Sequence, residues 1–327
     1  MNFWKDLKKP IMVLAPMADV TDPAFRRIIA KYGKPDVMWT EFVSADGLFL
    51  GGYNHLIKDL AFTEEERPIV AQFFSGKAEM IEKAAELACD LGFDGIDLNM
   101  GCPAVPIEKQ GSGSAHIKNF KNSQEVILAA MRGAKKNGKD LPVSVKTRIG
   151  YNRNELETWL PVLLETNPAI ITIHARTRKE MSSVPARWEH IKRAVEIRDN
   201  FVDSNGKKSE TLIFGNGDVT DLVDAENKVV ETRCDGVMLG RAIFGNPWCF
   251  SREVKREEVS IPDRLRVMVE HTKLFEELLP QKSFAIMKKH YKAYVNGWDG
   301  AKELRMKLME AKDAKEVEEI VEDYLKQ

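Results

Sequence analysis

Eight short apolar runs follow one another along this chain, and the segments between them are long enough for helices rather than hairpin turns. They fall at residues 11–15, 36–40, 68–73, 95–100, 142–148, 169–174, 211–214 and 236–239. Strands joined by crossover helices pair in parallel, so this rhythm reads as repeated βαβ units. Asp22 and Pro23 read as the N-cap and first turn of a helix that continues through Phe25, Ile28 and Ile29, and Ala78–Leu91 has an amphipathic period. The pattern predicts an α/β fold, eight parallel strands closed into a (β/α)8 barrel. The competing architecture, a doubly wound open sheet, more often carries Gly-x-Gly-x-x-Gly after its first strand, and none occurs here.

From about residue 262 the apolar positions take a helical spacing with no further strand signal: Val267, Met268, His271, Leu274, Phe275, then Phe284, Met287, Tyr291, Tyr294 and Val295. We therefore expect a barrel domain over 1–250 and a small all-helical domain over 251–327. The polar stretch 199–209, with Asn205-Gly206 as a turn signal, reads as a surface loop before the seventh strand. No apolar run is long enough to cross a bilayer and the N-terminal residues lack the apolar core of a secretory signal, so no membrane contact and a cytoplasmic location are expected. The four cysteines form no Cys-x-x-Cys pair and read as free thiols, and no His/Asp/Glu group has metal-ligand spacing. A net charge of −1 does not announce nucleic-acid binding, though it leaves room for a local basic face.

In such a barrel the working face lies at the C-terminal ends of the strands. Polar residues cluster there: Gln72 after strand three, Asn99 and Cys102 after strand four, Lys146 and Arg148 on strand five, His174 and Arg176 at the end of strand six. A lone cysteine is usually a small buried hydrophobe, but Cys102 ends a strand in a Gly-Cys-Pro turn, with Asn99 before it and the glycines of the Gly111-Ser112-Gly113 loop downstream, and this makes it a candidate for chemistry. The last two strands run into Gly215-Asn216-Gly217-Asp218 and Gly240-Arg241, where backbone N–H groups and an arginine suit a phosphate. Lys146 either snorkels to solvent or faces an anionic partner. His174, taken alone, reads as a satisfied core histidine.

These motifs together resemble the tRNA-dihydrouridine synthases. The resemblance runs almost end to end, through Leu14-Ala15-Pro16-Met17-Ala18-Asp19, Ala71-Gln72-Phe73, Asp97-Leu98-Asn99-Met100-Gly101-Cys102-Pro103, Val145-Lys146-Thr147-Arg148, Ile173-His174-Ala175-Arg176-Thr177-Arg178, Gly215-Asn216-Gly217-Asp218 and Gly236-Val237-Met238-Leu239-Gly240-Arg241. It implies an FMN-binding barrel, NADPH as reductant, and reduction of the uracil C5–C6 bond in tRNA by hydride from flavin N5 to C6 with a proton from Cys102 to C5. Carried over by motif, Pro16 and Met17 contact the isoalloxazine. Gln72, Lys146 and His174 bind its polar edge or ribityl chain, and Asn216, Gly217, Asp218, Gly240 and Arg241 form the phosphate end. Asn99, Arg148 and Arg176 are expected on the uracil side, and Lys288, Lys289 and Lys292 on a basic, aromatic-bearing helical face that meets the RNA. A monomer is the family's expectation.

The chain departs from the family pattern in places. Val105 and Pro106 stand where a lysine is frequent after Gly-Cys-Pro, and Met181-Ser182-Ser183-Val184-Pro185 replaces a segment usually holding an aromatic and a glycine. Two other readings remain: an FMN-dependent barrel oxidoreductase acting on a small molecule, similar to dihydroorotate or dihydropyrimidine dehydrogenases, and a flavin-free RNA-binding protein on the same scaffold.

Overall fold

Period-two alternation along each strand decides what the barrel encloses. The structure, a computed structural model, describes residues 2–326. The eight runs form β1 (Ile11–Leu14), β2 (Met38–Ser44), β3 (Ile69–Phe74), β4 (Gly95–Asn99), β5 (Val143–Arg148), β6 (Ile170–His174), β7 (Leu212–Asn216) and β8 (Gly236–Leu239). All pair in parallel in the order β1-β8-β7-β6-β5-β4-β3-β2. The circle closes where Val13 bridges Val37 and Leu14 N donates to Val37 O at 3.2 Å.

One side-chain set, including Leu14, Phe73, Leu98, Val145, Ile173 and Leu239, packs outward beneath the helices. The other set points inward: Ile11, Val13, Trp39, Val70, Ile170 and Phe214 form the lower core. Trp4 plugs its base, 5.7 Å from Trp39 and 5.9 Å from Phe214 between ring centroids. Toward the strands' C-terminal ends the inward positions turn polar: Gln72 follows Val70, Asn99 follows Asp97, Lys146 follows Ser144 and Asn216 follows Phe214. This gradient places the polar residues at one mouth of the barrel.

The first helix runs Pro23–Tyr32 as anticipated, with the Asp22 carboxylate accepting from Phe25 N at 2.9 Å. Strand β2 runs on beyond Thr40, where its apolar run weakened, and carries Glu41 into a buried position over the barrel. The 199–209 segment is mostly exposed, with a single antiparallel bridge between Val202 and Lys208.

Beyond Leu239 no strand follows among the described residues. Helices Ile261–Leu278, Met287–Tyr294, Ala301–Glu310 and Ala314–Leu325 form the all-helical C-terminal unit. It docks on the Pro23–Tyr32 helix, where Phe25 stacks on His271 at 4.6 Å and meets His290 edge-on at 4.9 Å. Both histidines are buried without a hydrogen-bond partner, and burial holds them neutral, His290 at about 3. Lys282 reaches from the helical unit to the barrel, 2.8 Å from Glu41 and 3.0 Å from Asp59.

Candidate active site

A cavity of about 690 Å³ opens at the C-terminal ends of β5 to β8 and β1. That is within the ~300–1,000 Å³ usual for small-molecule sites. Its wall contains Pro16, Met17, Lys146, His174, Arg176, Asn216, Gly217, Asp218, Gly240 and Arg241, so motifs scattered over most of the chain converge on one space.

The loop after β1 is held by its own backbone: Met17 N donates to Thr21 Oγ1 at 2.9 Å, and Thr21 N returns to Met17 O at 3.0 Å. Asn216 is fixed through Nδ2 on Met238 O at 2.8 Å. Gly217 has φ +126 and its missing Cβ would lie 2.8 Å from Ala186 Cβ, so only glycine fits that turn. A Cβ on Gly240 would project beside Met17 Sδ at 3.5 Å.

Among the described residues Lys146 has neither hydrogen-bond nor ion-pair partner, and loss of solvent lowers its pKa to about 8, with Arg148 adding to the effect and Asp97 opposing it. A half-buried ammonium without a partner, in a cavity wall, is suited to an anionic ligand group. His174 is held well below its ordinary pKa, first by burial and then by Lys146, Arg148, Arg176 and Arg241. Arg176 Nη1 donates to His174 Nε2 at 3.1 Å, and since arginine only donates, the proton of the neutral ring is on Nδ1.

Arg176 and Asp218 turn out to hold the wall. Arg176 Nε donates to Val184 O at 2.6 Å, Nη1 goes to His174, and Nη2 pairs with the Asp218 carboxylate. Asp218 also takes Arg241 Nη2 at 2.5 Å and Ala186 N at 2.9 Å, and Arg176, ahead of burial, keeps its pKa low. An anion clamped by two arginines does not hold a phosphate through its side chain; it orients Arg241, which stays exposed.

The remaining site residues lie beside this cavity, inside the barrel or above β4. Gln72 is buried, with Nε2 donating to Asp97 Oδ2 at 2.5 Å and Oε1 accepting from Asn99 Nδ2 at 3.1 Å. The side chain of Gln72 is therefore not in the cavity wall, and it works through its neighbours. Asn99 Oδ1 accepts from Gly101 N at 3.2 Å and Cys102 N at 2.9 Å, which sets the Cys102 turn. Arg148 Nε donates to Gly101 O at 2.7 Å and Nη1 to Thr177 O at 3.2 Å, which stitches the β4 and β6 loops together. Register pairs Asn99 with Lys146, so the Cys102 turn and the cavity adjoin.

Burial raises the pKa of Cys102, with Lys146 and Arg148 opposing, so the thiol is protonated at neutral pH. Its carbonyl accepts both Ser114 N and Ser114 Oγ at 2.9 Å. The signal sequence reasoning passed over is Asp97: it alternates in register with Asn99, and Ser144 Oγ at 2.5 Å and Gln72 anchor it beneath the site. Burial lifts it to about 6. Glu108 was also missed; it ties Ser114 Oγ at 2.9 Å to Arg178.

The helical face is narrower than its composition suggested. Tyr291, Tyr294 and His290 are core residues, unavailable for stacking on a base. Lys282 is buried among carboxylates, and Lys289 is lowered by burial with Asp19, Asp22 and Glu41 as its nearest anions. Lys288 is half-buried and Lys292 exposed, neither with an ion pair.

A parallel barrel with a phosphate-type cradle after β7 and β8, an unpartnered lysine and an adjoining protonated thiol defines a cofactor-dependent barrel enzyme. The Dihydrouridine synthase (Dus) family matches residues 13–327, and this chain belongs to that family. The "Probable tRNA-dihydrouridine synthase 2" of Bacillus subtilis (strain 168) is 37% identical over 99% of this chain and 96% of its own. The "Probable tRNA-dihydrouridine synthase" of Staphylococcus aureus (strain COL) is 37% identical over 99% and 95%. Among solved structures, morphinone reductase superposes with a TM-score of 0.52 at 12% identity, covering 74% of this chain and 84% of that one. Histamine dehydrogenase from Rhizobium sp. 4-9 gives 0.54 at 12%, covering 81% and 49%. These last two share the fold.

Proposed function

We propose that this protein reduces uridine in tRNA to dihydrouridine, with FMN in the β7–β8 cavity, NADPH as reductant and Cys102 as the proton donor, working as a cytoplasmic monomer. The observation that carries the reading is the partnerless Lys146 in the wall of a cavity whose other end is a glycine-rich cradle, with a protonated thiol next to it. The relatives' names supply the substrate.

The residues fit that cofactor. Gly217, Gly240 and Arg241 offer backbone N–H groups and a guanidinium to a phosphate, and Lys146 offers a cation to the electron-rich ring edge. Neutral His174, with its proton on Nδ1, has a donor for a carbonyl or hydroxyl. When bound, a reduced flavin supplies hydride to the electron-poor carbon of the uracil double bond.

What the chain supplies is the proton and the pocket. Cys102 Sγ gives its proton to C5, the enolate collapses, and the thiolate left behind is stabilised by the Lys146 and Arg148 charges until solvent reprotonates it. Asn99 and Arg148 hold the turn that carries the thiol, Arg176 keeps His174 in one tautomer, and Lys288 and Lys292 are the cations of the expected helical face left for the RNA, Lys289 being turned to the carboxylates of the barrel. A base stacked in folded tRNA must be extracted at a cost of a few kcal/mol, which backbone contacts have to offset.

The purified protein is expected to release FMN on denaturation, to be bleached by NADPH without oxygen, and to regain colour when unmodified tRNA is added. A colourless protein, or a bleached one that tRNA does not reoxidise, contradicts the proposal.

A further inference from the structure

We infer that the barrel rim beside Cys102, formed by the loops after β5 and β6 and the turn before the Phe120–Gly133 helix, is a second RNA-contact surface. Lys118, Arg153 and Lys179, grouped around Tyr151, grip the phosphate backbone next to the extracted base; this rests on tRNA being the substrate. The helical unit leaves this task open, because Lys282 and Lys289 face carboxylates and the aromatics His290, Tyr291 and Tyr294 that follow them are buried.

The rim is preorganised. Arg178 N donates to Gly150 O and Lys179 N to Tyr151 O, each at 2.9 Å, which zips the two loops together. Gly150 permits the tight turn, since a Cβ there would lie 1.9 Å from Arg153 O. Lys118 Nζ stands 4.3 Å from the Tyr151 ring centroid and Arg178 Cζ 5.2 Å from it, so one half-buried ring orients two cations. The surface is continuous with the Cys102 turn: Arg178 pairs with Glu108, Glu108 takes Ser114 Oγ, and Ser114 holds the Cys102 carbonyl.

Charge on the rim is unbalanced. Glu108 is taken by Arg178 and Glu180 by Arg187, and Glu155 accepts the Tyr151 amide at 2.7 Å. Lys118, Arg153 and Lys179 are exposed, and among the described residues none has a carboxylate within ion-pair distance. Three exposed cations against one carboxylate, Lys118 among them held over the Tyr151 ring, give this rim a local positive charge beside the place where a nucleotide must leave its stack, as a phosphate backbone requires.

The test is the full-length protein carrying Lys118→Gln, Arg153→Gln and Lys179→Gln together, with affinity for unmodified tRNA transcript measured across a salt series. Each lost phosphate contact lowers the slope of log K against log salt by roughly 0.7–0.9. The triple variant should therefore lose about 2–3 from the parent slope and show a raised tRNA KM with a smaller change in kcat. A control pair at the opposite end of the barrel, Lys8→Gln with Lys135→Gln, should keep the parent slope. A triple variant with the parent's slope and KM overturns the inference, whereas a parent that binds no tRNA overturns the functional reading beneath it.

Discussion

At the scale of single residues, the site works by keeping one group neutral and another charged at the same pH. Burial holds Cys102 protonated, while Lys146, with no partner of its own, sits near the edge of losing its charge at about 8. The sign follows: the lysine is a cation below that value and is neutralised as pH rises through it, so apoprotein affinity for FMN should weaken on the alkaline side of about 8. Lys146→Met should weaken FMN binding roughly 10- to 100-fold, in line with ~1.5–3 kcal/mol for a charged hydrogen bond, and flatten this pH dependence. Fluorescence titration of apoprotein with FMN across pH checks both. Lys146, Asn216 and Gly217 were legible in the sequence because strand periodicity and glycine-bearing turns place them, whereas His174 read by itself as a core histidine and was pointed to the site only by the family resemblance. The wall-holding roles of Arg176 and Asp218 were not legible, since they pair with each other across two loops and Asp218 also takes Ala186 and Arg241 from loops other than its own. A charged residue's type does not reveal whether it faces a ligand or another side chain.

At the scale of elements, the β4 turn and the loop packed on it act as one piece. Gly113 has φ +60, and a Cβ would lie 2.6 Å from the Cys102 carbonyl oxygen. Gly113→Ala should therefore displace the thiol and lower turnover with tRNA by ~10-fold or more, while bound flavin and its reduction by NADPH are kept, as rapid-mixing absorbance on the two half-reactions would show. The eight strands were legible because parallel buried strands read as apolar runs. The extension of β2 was not, since Glu41 is held over the barrel by Lys282, a residue far along the chain, and by Asp19 N. Lys282→Met would leave Glu41 and Asp59 without their cation. Loss of one partner from a buried pair costs about 3–5 kcal/mol, and urea unfolding should show a loss of that order, partly restored by adding Glu41→Gln.

At the scale of the whole molecule, the helical unit is part of the barrel's stability as well as a candidate RNA platform. Its Phe275, Met287 and Tyr294 share one buried apolar cluster with Phe25 and Ile28 of the first barrel helix, and its buried His271 stacks on Phe25. Removing residues 251–327 uncovers that face, so the truncated barrel is expected to be aggregation-prone and to lose flavin, as gel filtration and absorbance would show. Such a truncation therefore does not separate a tRNA enzyme from a small-molecule one. That division into barrel and helices was legible from the end of the strand rhythm. The docking was not, because the same apolar spacing serves a free bundle and a docked one.

The most direct measurement is nucleoside mass spectrometry on unmodified tRNA after incubation with the purified protein and NADPH, run beside Cys102→Ala. The account predicts that a uridine gains the mass of two hydrogens with the parent protein. It predicts that Cys102→Ala keeps its reducible flavin but forms product ~10²- to 10⁴-fold more slowly, the usual worth of a positioned proton donor. Unchanged uridine with a flavin-loaded, reducible parent protein would contradict the account, and full product formation by Cys102→Ala would contradict the role given to its thiol.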